Sequence, residues 1–309
     1  MRRLDKLIEQ ARRQTENEDV SSTIGIATEE FVQYFNDAQD RLQSAISSTY
    51  PNVFLSEQII TLTSGTEAYS IPDNLFLDSR IVNVEISLTG SSQDFTPLRP
   101  ITYKNRGTYE SESPYGYIRK NGQLLVNGVY RGSGATIRVT YERALDNLDI
   151  RRGAISVVTG TPITSITLAS SPTPDTYELP NITTGDYICV SDKDGVVTAY
   201  NIPVTSYNSG TRVLTVSSHT LAAGEAAAVG SYVTIGRYST THSKLSETAE
   251  RYLLAYAAWK ILKRDSSEDS KDQERELLML EEDIVKSYAD NDRDTYGIPI
   301  LNDSVLILE

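Results

Sequence analysis

The sequence predicts an α+β fold: a three- to four-helix bundle with a small antiparallel sheet, plus an inserted all-β sandwich or barrel domain. Three observations predict it. Helical periodicity holds at both ends of the chain, period-two alternation replaces it from about residue 57, and residues 154–240 are β-patterned throughout. Helices at both ends imply a core built from residues 1–153 and 241–309, with residues 154–240 inserted into it. A chain of 309 residues is long enough for two such bodies.

Residues 4–18 read as a short, highly charged helix with Leu4, Ile8 and Ala11 as its apolar edge. So narrow an edge needs a partner surface. The next helix has Thr28 as its cap, Glu29 and Glu30 at the positive end of its dipole, and Pro51 as its stop. Within it Phe31, Phe35, Ala38, Leu42 and Ala45 alternate at spacings of four and three, a seam for packing another helix.

From Gln58 the period is two: Ile60, Leu62, Tyr69 and Ile71 alternate with polar residues, and Ser64-Gly65 marks a turn. Ile81 through Ile86, Tyr117-Ile118, Leu124-Leu125-Val126 and Ile137 through Tyr141 continue the series. Asn121-Gly122 between two of these runs is a type I′ hairpin signal. Residues 57–143 therefore read as one small antiparallel sheet. Across residues 154–240 turn residues recur roughly every eight to twelve positions, the spacing of a small sandwich or barrel. The likeness between Ser165-Ile166-Thr167-Leu168-Ala169-Ser170 and Arg212-Val213-Leu214-Thr215-Val216-Ser217 reads as two similar hairpins.

The helical period then returns. Ser246 caps a helix from Glu247 to Arg264, and a short connector at residues 265–268 requires an antiparallel partner. That partner runs to about Tyr288 with Leu277, Leu280, Ile284 and Tyr288 on one stripe. The apolar tail, Tyr296-Gly297-Ile298-Pro299-Ile300-Leu301 and Val305-Leu306-Ile307-Leu308, has no helical pattern. It is either a last strand or an arm that binds something.

The balance of 42 acidic and 29 basic side chains gives a net charge of -13, which argues against a stably held nucleic-acid duplex. More than half of it, -7, falls on residues 241–309, while residues 51–153 are neutral. One cysteine, Cys189, rules out an intrachain disulfide framework and a multi-cysteine metal site. Tyrosine outnumbers phenylalanine 19 to 5, so the aromatic surface is amphipathic. No stretch approaches the roughly 20 apolar residues of a membrane span, and no apolar run follows the basic start, so neither an anchor nor a signal peptide is expected.

Candidate chemistry fails position by position. Asp192-Lys193-Asp194-Gly195 begins like a calcium loop, but no glutamate stands at the twelfth position, and a hairpin turn explains it. Gly132-Ser133-Gly134 lacks the helix and Lys-Ser/Thr of a phosphate loop. His219 and His242 have neither a nucleophile elbow nor a metal-ligand partner at helical spacing. Glu281-Glu282-Asp283 and Asp290-Asn291-Asp292 could serve as paired carboxylates, yet read as a solvated helix face. Arg151-Arg152, with Arg138 and Arg143, could contact phosphate, but bridging to acidic neighbours is the plainer reading. Cys189 reads as a small core hydrophobe. No catalytic, cofactor or metal site is expected.

Four segments together carry a resemblance. The first is Phe31-Val32-Gln33-Tyr34-Phe35-Asn36-Asp37-Ala38-Gln39-Asp40-Arg41-Leu42-Gln43, followed by Tyr50-Pro51-Asn52. The second is Glu67-Ala68-Tyr69-Ser70-Ile71-Pro72-Asp73-Asn74 leading into Arg80-Ile81-Val82-Asn83-Val84-Glu85. The third is Ser113-Pro114-Tyr115-Gly116-Tyr117-Ile118, then Ile137 to Arg143 and Leu148-Asp149. The fourth holds Ala257-Ala258-Trp259-Lys260. In order and texture these are similar to the head-to-tail connector (adaptor) proteins of short-tailed bacteriophages, over roughly residues 28–150 and 245–290.

The resemblance implies a non-enzymatic virion protein made in the host cytoplasm. It would form a ring, expected to be dodecameric, between the portal protein and the tail nozzle or fibre proteins, lining the channel through which DNA passes without sequence-specific binding. It implies no cofactor and no membrane. A ring makes heterologous contacts, which need two different sticky faces, and the arm at Tyr296, Ile298, Ile300 and Leu301 would supply one by docking on the portal or a neighbouring subunit. Two other readings compete: a nozzle or fibre-anchoring protein, and a tail glycan-binding module using Tyr187, Tyr200 or Tyr207.

Overall fold

The computed structural model describes residues 2–15, 26–76, 81–91, 93–102, 116–126, 134–169, 179, 182–264 and 270–293. Over these the chain is mixed α and β, with four helices and several sheets, one of them closed into a six-stranded barrel. It divides into two compact units, Tyr50–Ala144 and the combination of Met1–Thr49 with Leu145–Glu309.

The unit Tyr50–Ala144 holds β1 (Leu55–Thr61), β2 (Ala68–Ser70), β3 (Ile81–Ser87), β4 (Thr96–Pro97), β5 (Arg99–Pro100), β6 (Gly116–Lys120), β7 (Gln123–Val126) and β8 (Thr136–Glu142). They make two four-stranded sheets where the alternation predicted one: β1-β8-β3-β4, and β2-β7-β6-β5. The pairing of β5 with β6 is parallel, so the second sheet is not purely antiparallel. Only Leu98, buried and bonded through its N–H to the Val84 carbonyl at 2.8 Å, separates β4 from β5. The chain therefore changes sheet within one residue. Both sheets turn an apolar face to a shared core of Leu62, Tyr69, Val84, Ile86, Leu124, Ile137 and Val139. Alternation demands one buried face per strand but does not say which sheet a strand joins. The hairpin signal is realised: Asn121 has φ 50° and Gly122 φ 72°, the left-handed pair of a type I′ turn.

In the other unit, α1 (Leu4–Gln14) stops short of residue 18, and residues 16–25 lie outside the described ones. Leu7 is buried beside Leu4, Ile8 and Ala11, which widens the expected edge. The partner surface it needs is α3 (Glu247–Arg264), with α2 (Thr28–Thr49) also in contact. The start of α2 differs from expectation by one residue. The Ala27 carbonyl receives the first helical N–H groups, from Glu30 and Phe31, so Ala27 holds the cap position. Thr28 instead accepts a hydrogen bond from Arg12 at 3.3 Å. Phe31, Phe35, Ala38 and Leu42 are fully buried, but Ile46 rather than Ala45 completes the seam. A strict four-three alternation repeats every 3.5 residues and a straight helix every 3.6, so the buried stripe slides by one position over this length.

Ser246 caps α3 as expected, its hydroxyl accepting from Ala249 N–H at 3.3 Å and its carbonyl from Glu250 N–H at 2.9 Å. Tyr252 through Trp259 are all buried, because α3 packs against α1, α2 and α4 (Ser270–Arg293). Along α4 the residues Leu277, Ile284 and Tyr288 are buried, Leu280 is half-buried, and Leu278 and Met279 are exposed. The connector at residues 265–269 lies outside the described residues.

The same unit contains β9 (Asn147–Leu148), β10 (Gly153–Thr159), β11 (Ile163–Leu168), β12 (Asp186–Ser191), β13 (Val197–Asn208), β14 (Val213–His219), β15 (Tyr232–Ile235) and β16 (Ser239–Thr240). The sandwich-or-barrel expectation resolves to a closed barrel in the order β10-β11-β14-β13-β12-β15. Closure leaves no strand edge exposed, and register shifts in β10, β11, β12 and β13 supply the bends that so small a barrel requires. Ile166, Ile188, Val190, Ala199, Ile202, Leu214 and Val233 fill its interior. The two similar segments prove to be neighbours, with Ile166 opposite Leu214. Two adjacent strands facing one core need the same pattern. The acidic stretch at 192–195 is a turn: the Asp192 carboxylate accepts from the N–H groups of Asp194 and Val196, both at 2.9 Å.

Candidate functional site

The interface residues singled out by the sequence, Tyr296, Ile298, Ile300 and Leu301, lie outside the described residues, as does the Gly132-Ser133 loop. What the structure builds instead is a polar joint between the helices and the barrel. It begins where β9 and β16 pair in parallel, Asn147 beside Ser239 and Leu148 beside Thr240. Three amide side chains of α2 clamp this segment. Asn36 donates to the Leu148 carbonyl at 3.0 Å and accepts from the Leu148 N–H at 2.7 Å. Gln39 donates to the Asp146 carbonyl at 2.9 Å, and Gln43 accepts from the Leu145 N–H at 3.0 Å. Their spacing of three and four sets them on one side of α2, where they satisfy backbone groups much as a neighbouring strand would.

Two ion pairs lie beside the clamp. Lys244 Nζ sits 2.7 Å from Asp146 Oδ2, with side-chain exposures of 7% and 1%, and the Tyr200 hydroxyl donates to the same oxygen at 3.2 Å. Arg152 meets Asp149 at 2.8 Å, both 6% exposed, and reaches Glu29 of α2 at 3.2 Å. Asp149 also accepts the Ile235 N–H of β15 at 2.7 Å. Burial pushes the Asp149 carboxyl up, outweighing the opposite pull of Arg152. Arg151 lies over the Tyr232 ring at 3.9 Å and donates to the Lys193 carbonyl at 2.8 Å. The arginine pair thus bridges acidic and carbonyl neighbours, as the sequence suggested. Arg138 is engaged separately, with Glu85 at 2.6 Å and over the Phe95 ring at 4.3 Å.

His242 is buried in the joint, its Nδ1 2.8 Å from the Thr241 hydroxyl. Burial, reinforced by the charges of Arg151 and Arg3, pushes it down to about 4. Gly195 presses on the ring so closely that a Cβ there would lie 2.1 Å from Nδ1. Cys189 is more than a small hydrophobe: its sulfur accepts from Asn201 N–H at 3.5 Å and Ser239 N–H at 3.3 Å. Burial pushes the thiol up, which suppresses the thiolate a nucleophile would need. Glu281 departs from the solvated-face reading, since it holds Arg41 at 2.9 Å and accepts from the Tyr252 hydroxyl at 2.8 Å. Glu282 and Asp283 are exposed as expected, and the side chains of residues 290–292 lie outside the described ones.

Tyr187, Tyr200 and Tyr207 do not form one open platform for a sugar. Arg237 covers the Tyr187 ring at 4.1 Å, Tyr200 serves Asp146, and Tyr207 packs on the barrel core. Among the described residues no cluster of three or more His, Cys, Asp or Glu side chains gathers to hold a metal. No described helix is long and apolar enough to cross a membrane.

The joint was missed because Asn36, Gln39 and Gln43 look like an ordinary wet face. The one available signal was a run of amides at helical spacing along α2, Gln33, Asn36, Gln39 and Gln43, of which the last three form the clamp. No curated protein matches the chain. Residues 2–151 match the model of a family described as SU10 adaptor protein. The match runs through α1, α2, the whole unit Tyr50–Ala144 and the first side of the joint, including Asp146, Asp149 and Arg151. That family is a phage structural adaptor, and adaptors associate with other virion components. Over residues 2–151 the chain is therefore similar to the SU10 adaptor protein family, which is consistent with the resemblance to phage head-to-tail adaptors.

Proposed function

We propose that the protein is a non-enzymatic ring adaptor between the portal and the tail nozzle or fibres, and that it lines the DNA ejection channel. The observation that carries this reading is the match of residues 2–151 to the adaptor family. In this reading residues 1–153 with 241–309 make the core of a dodecameric ring, its helices bundled, and residues 154–240 are an inserted β domain facing outward. The arm at Tyr296, Ile298, Ile300 and Leu301 docks on the portal or on a neighbouring subunit. The chain is made in the host cytoplasm, uses no cofactor, and lets DNA pass without reading its sequence.

The polar joint supports the reading, because an adaptor must hold its parts in one orientation while two larger assemblies pull on it. Apolar packing alone tolerates sliding, whereas directional buried hydrogen bonds and ion pairs admit one geometry. The net charge of -13 suits a conduit, since an acidic wall repels phosphate.

Negative-stain imaging of the purified protein with and without portal tests the proposal. Rings seated on the portal are the expected result. Binding to fibre or nozzle proteins with no affinity for portal would replace it with the fibre-anchoring alternative.

A further inference from the structure

β1 is an edge strand, at the end of the order β1-β8-β3-β4. Its register with β8 runs unbroken from Leu55 opposite Glu142 to Thr61 opposite Thr136. Just beyond the two ends, Arg143 N–H donates to the Phe54 carbonyl and Leu62 N–H to the Ala135 carbonyl, both at 2.9 Å. In an antiparallel ladder the bonded pairs alternate, so Phe54, Ser56, Gln58, Ile60 and Leu62 turn their backbone groups toward β8. Leu55, Glu57, Ile59 and Thr61 turn theirs outward. Among the described residues nothing bonds to these outward groups.

Such an edge invites pairing unless it is guarded, and the usual guards are proline, charged side chains (lysine above all), a bulge or a covering segment. β1 has no proline, no lysine and no bulge; its one charge is the exposed Glu57, and Ile59 is 60% exposed. Its neighbour Ile60, on the opposite sheet face, is only half-buried. An incoming strand would meet an apolar side chain on each face. Most natural strands alternate and could use only one of them. Val305-Leu306-Ile307-Leu308 is apolar at four successive positions, the pattern of a strand covered on both faces. It lies in residues 294–309, beyond the last residue of α4. At roughly 3.3 Å per extended residue that segment reaches on the order of 50 Å.

We infer that the terminal arm of a second copy adds to the free edge of β1, with Val305 to Leu308 as the added strand beside Ile59 and Ile60. This rests on the ring reading above. It deepens it by naming what the arm meets: each subunit offers one arm and one edge, two unlike surfaces whose repetition makes a heterologous contact that closes into a ring. Backbone bonds supply the affinity and the two isoleucines fix the register.

The test uses full-length chains. One carries Ile59→Cys, and the other carries Leu306→Cys or Ile307→Cys so that both faces of the arm are sampled; Cys189 is replaced by serine throughout. Oxidising equal mixtures should give a chain-to-chain disulfide with one arm position strongly favoured. A disulfide at monomer mass in a chain bearing both cysteines, with none in the mixture, would show an arm folding back on its own edge and overturn the inference. Rings forming on portal with no Ile59 crosslink would also overturn it while leaving the ring reading intact. Ile59→Pro supplies an independent arm of the test. It removes an outward N–H and spares the β8 ladder, so it should cut self-association at least tenfold, with Ile59→Lys doing the same. Undiminished association in both overturns the edge assignment.

Discussion

Lys244 and Asp146 meet at 2.7 Å with almost no access to water, each beside the other's charge. Desolvating an ion is expensive, and losing one partner leaves that expense uncompensated. Lys244→Met should therefore lower stability by about 3–5 kcal/mol in urea titrations. The double replacement Lys244→Met with Asp146→Leu should recover most of it, because apolar substitutes remove both charges together. A single variant as stable as the double would show that the pair is wetter than its burial implies. His242 gives a second prediction, with a defined sign. It stays neutral in the fold down to about pH 4, while in the unfolded chain it ionises near its ordinary 6.5. As pH falls through that window the unfolded chain gains a proton that the folded chain refuses. Stability should fall between about pH 6.5 and 4 and level off below, by about 3 kcal/mol in all. The comparison with His242→Asn isolates this slope from the carboxylates, and parallel pH profiles for the two proteins would refute it.

At the scale of elements, the start of each long helix separates what pattern shows from what packing decides. Thr28 and Ser246 look equally good as caps in the sequence. Of the two, only Ser246 bonds a free N–H in the first turn of its helix, that of Ala249; Thr28 has entered the first turn and serves Arg12. Ser246→Ala should cost about 1 kcal/mol, and Thr28→Ala distinctly less, as thermal unfolding of the two variants will show. Equal losses would mean that Thr28 caps after all. Periodicity located the four described helices and the longer strands of Tyr50–Ala144 because each must bury one face, a demand written locally. It missed the second sheet of Tyr50–Ala144 because the switch at Leu98 is a choice of partner, and partners are not local. The joint was illegible for the same reason. Gln39 and Asn36 bond to backbone more than a hundred residues away, at Asp146 and Leu148.

For the whole molecule, the decisive question is whether residues 155–239 can be removed without unfolding what remains. The distribution of the buried charges bears on it. Asp146 and Lys244 both lie outside that segment, and so do Asp149, Arg152 and Glu29. Excision would remove the hydrogen bonds from Tyr200 and Ile235 and take Lys193 and Tyr232 away from buried Arg151, yet it would leave the pairs Lys244–Asp146 and Arg152–Asp149 whole. The cut ends also lie near one another, since Thr240 accepts a bond from Asp149 N–H at 2.9 Å, five residues before Ala154. Joining Ala154 to Thr240 through a short Gly-Ser linker should thus give a chain whose helices melt cooperatively, a few kcal/mol less stable than the parent through the lost bonds and packing. If the ring reading is right, that shortened chain still forms rings on portal. Collapse to an aggregate with no cooperative transition would show instead that the barrel is part of the same core as the helices. The polar joint would then be an interior of one body, and the inserted-domain reading would fail.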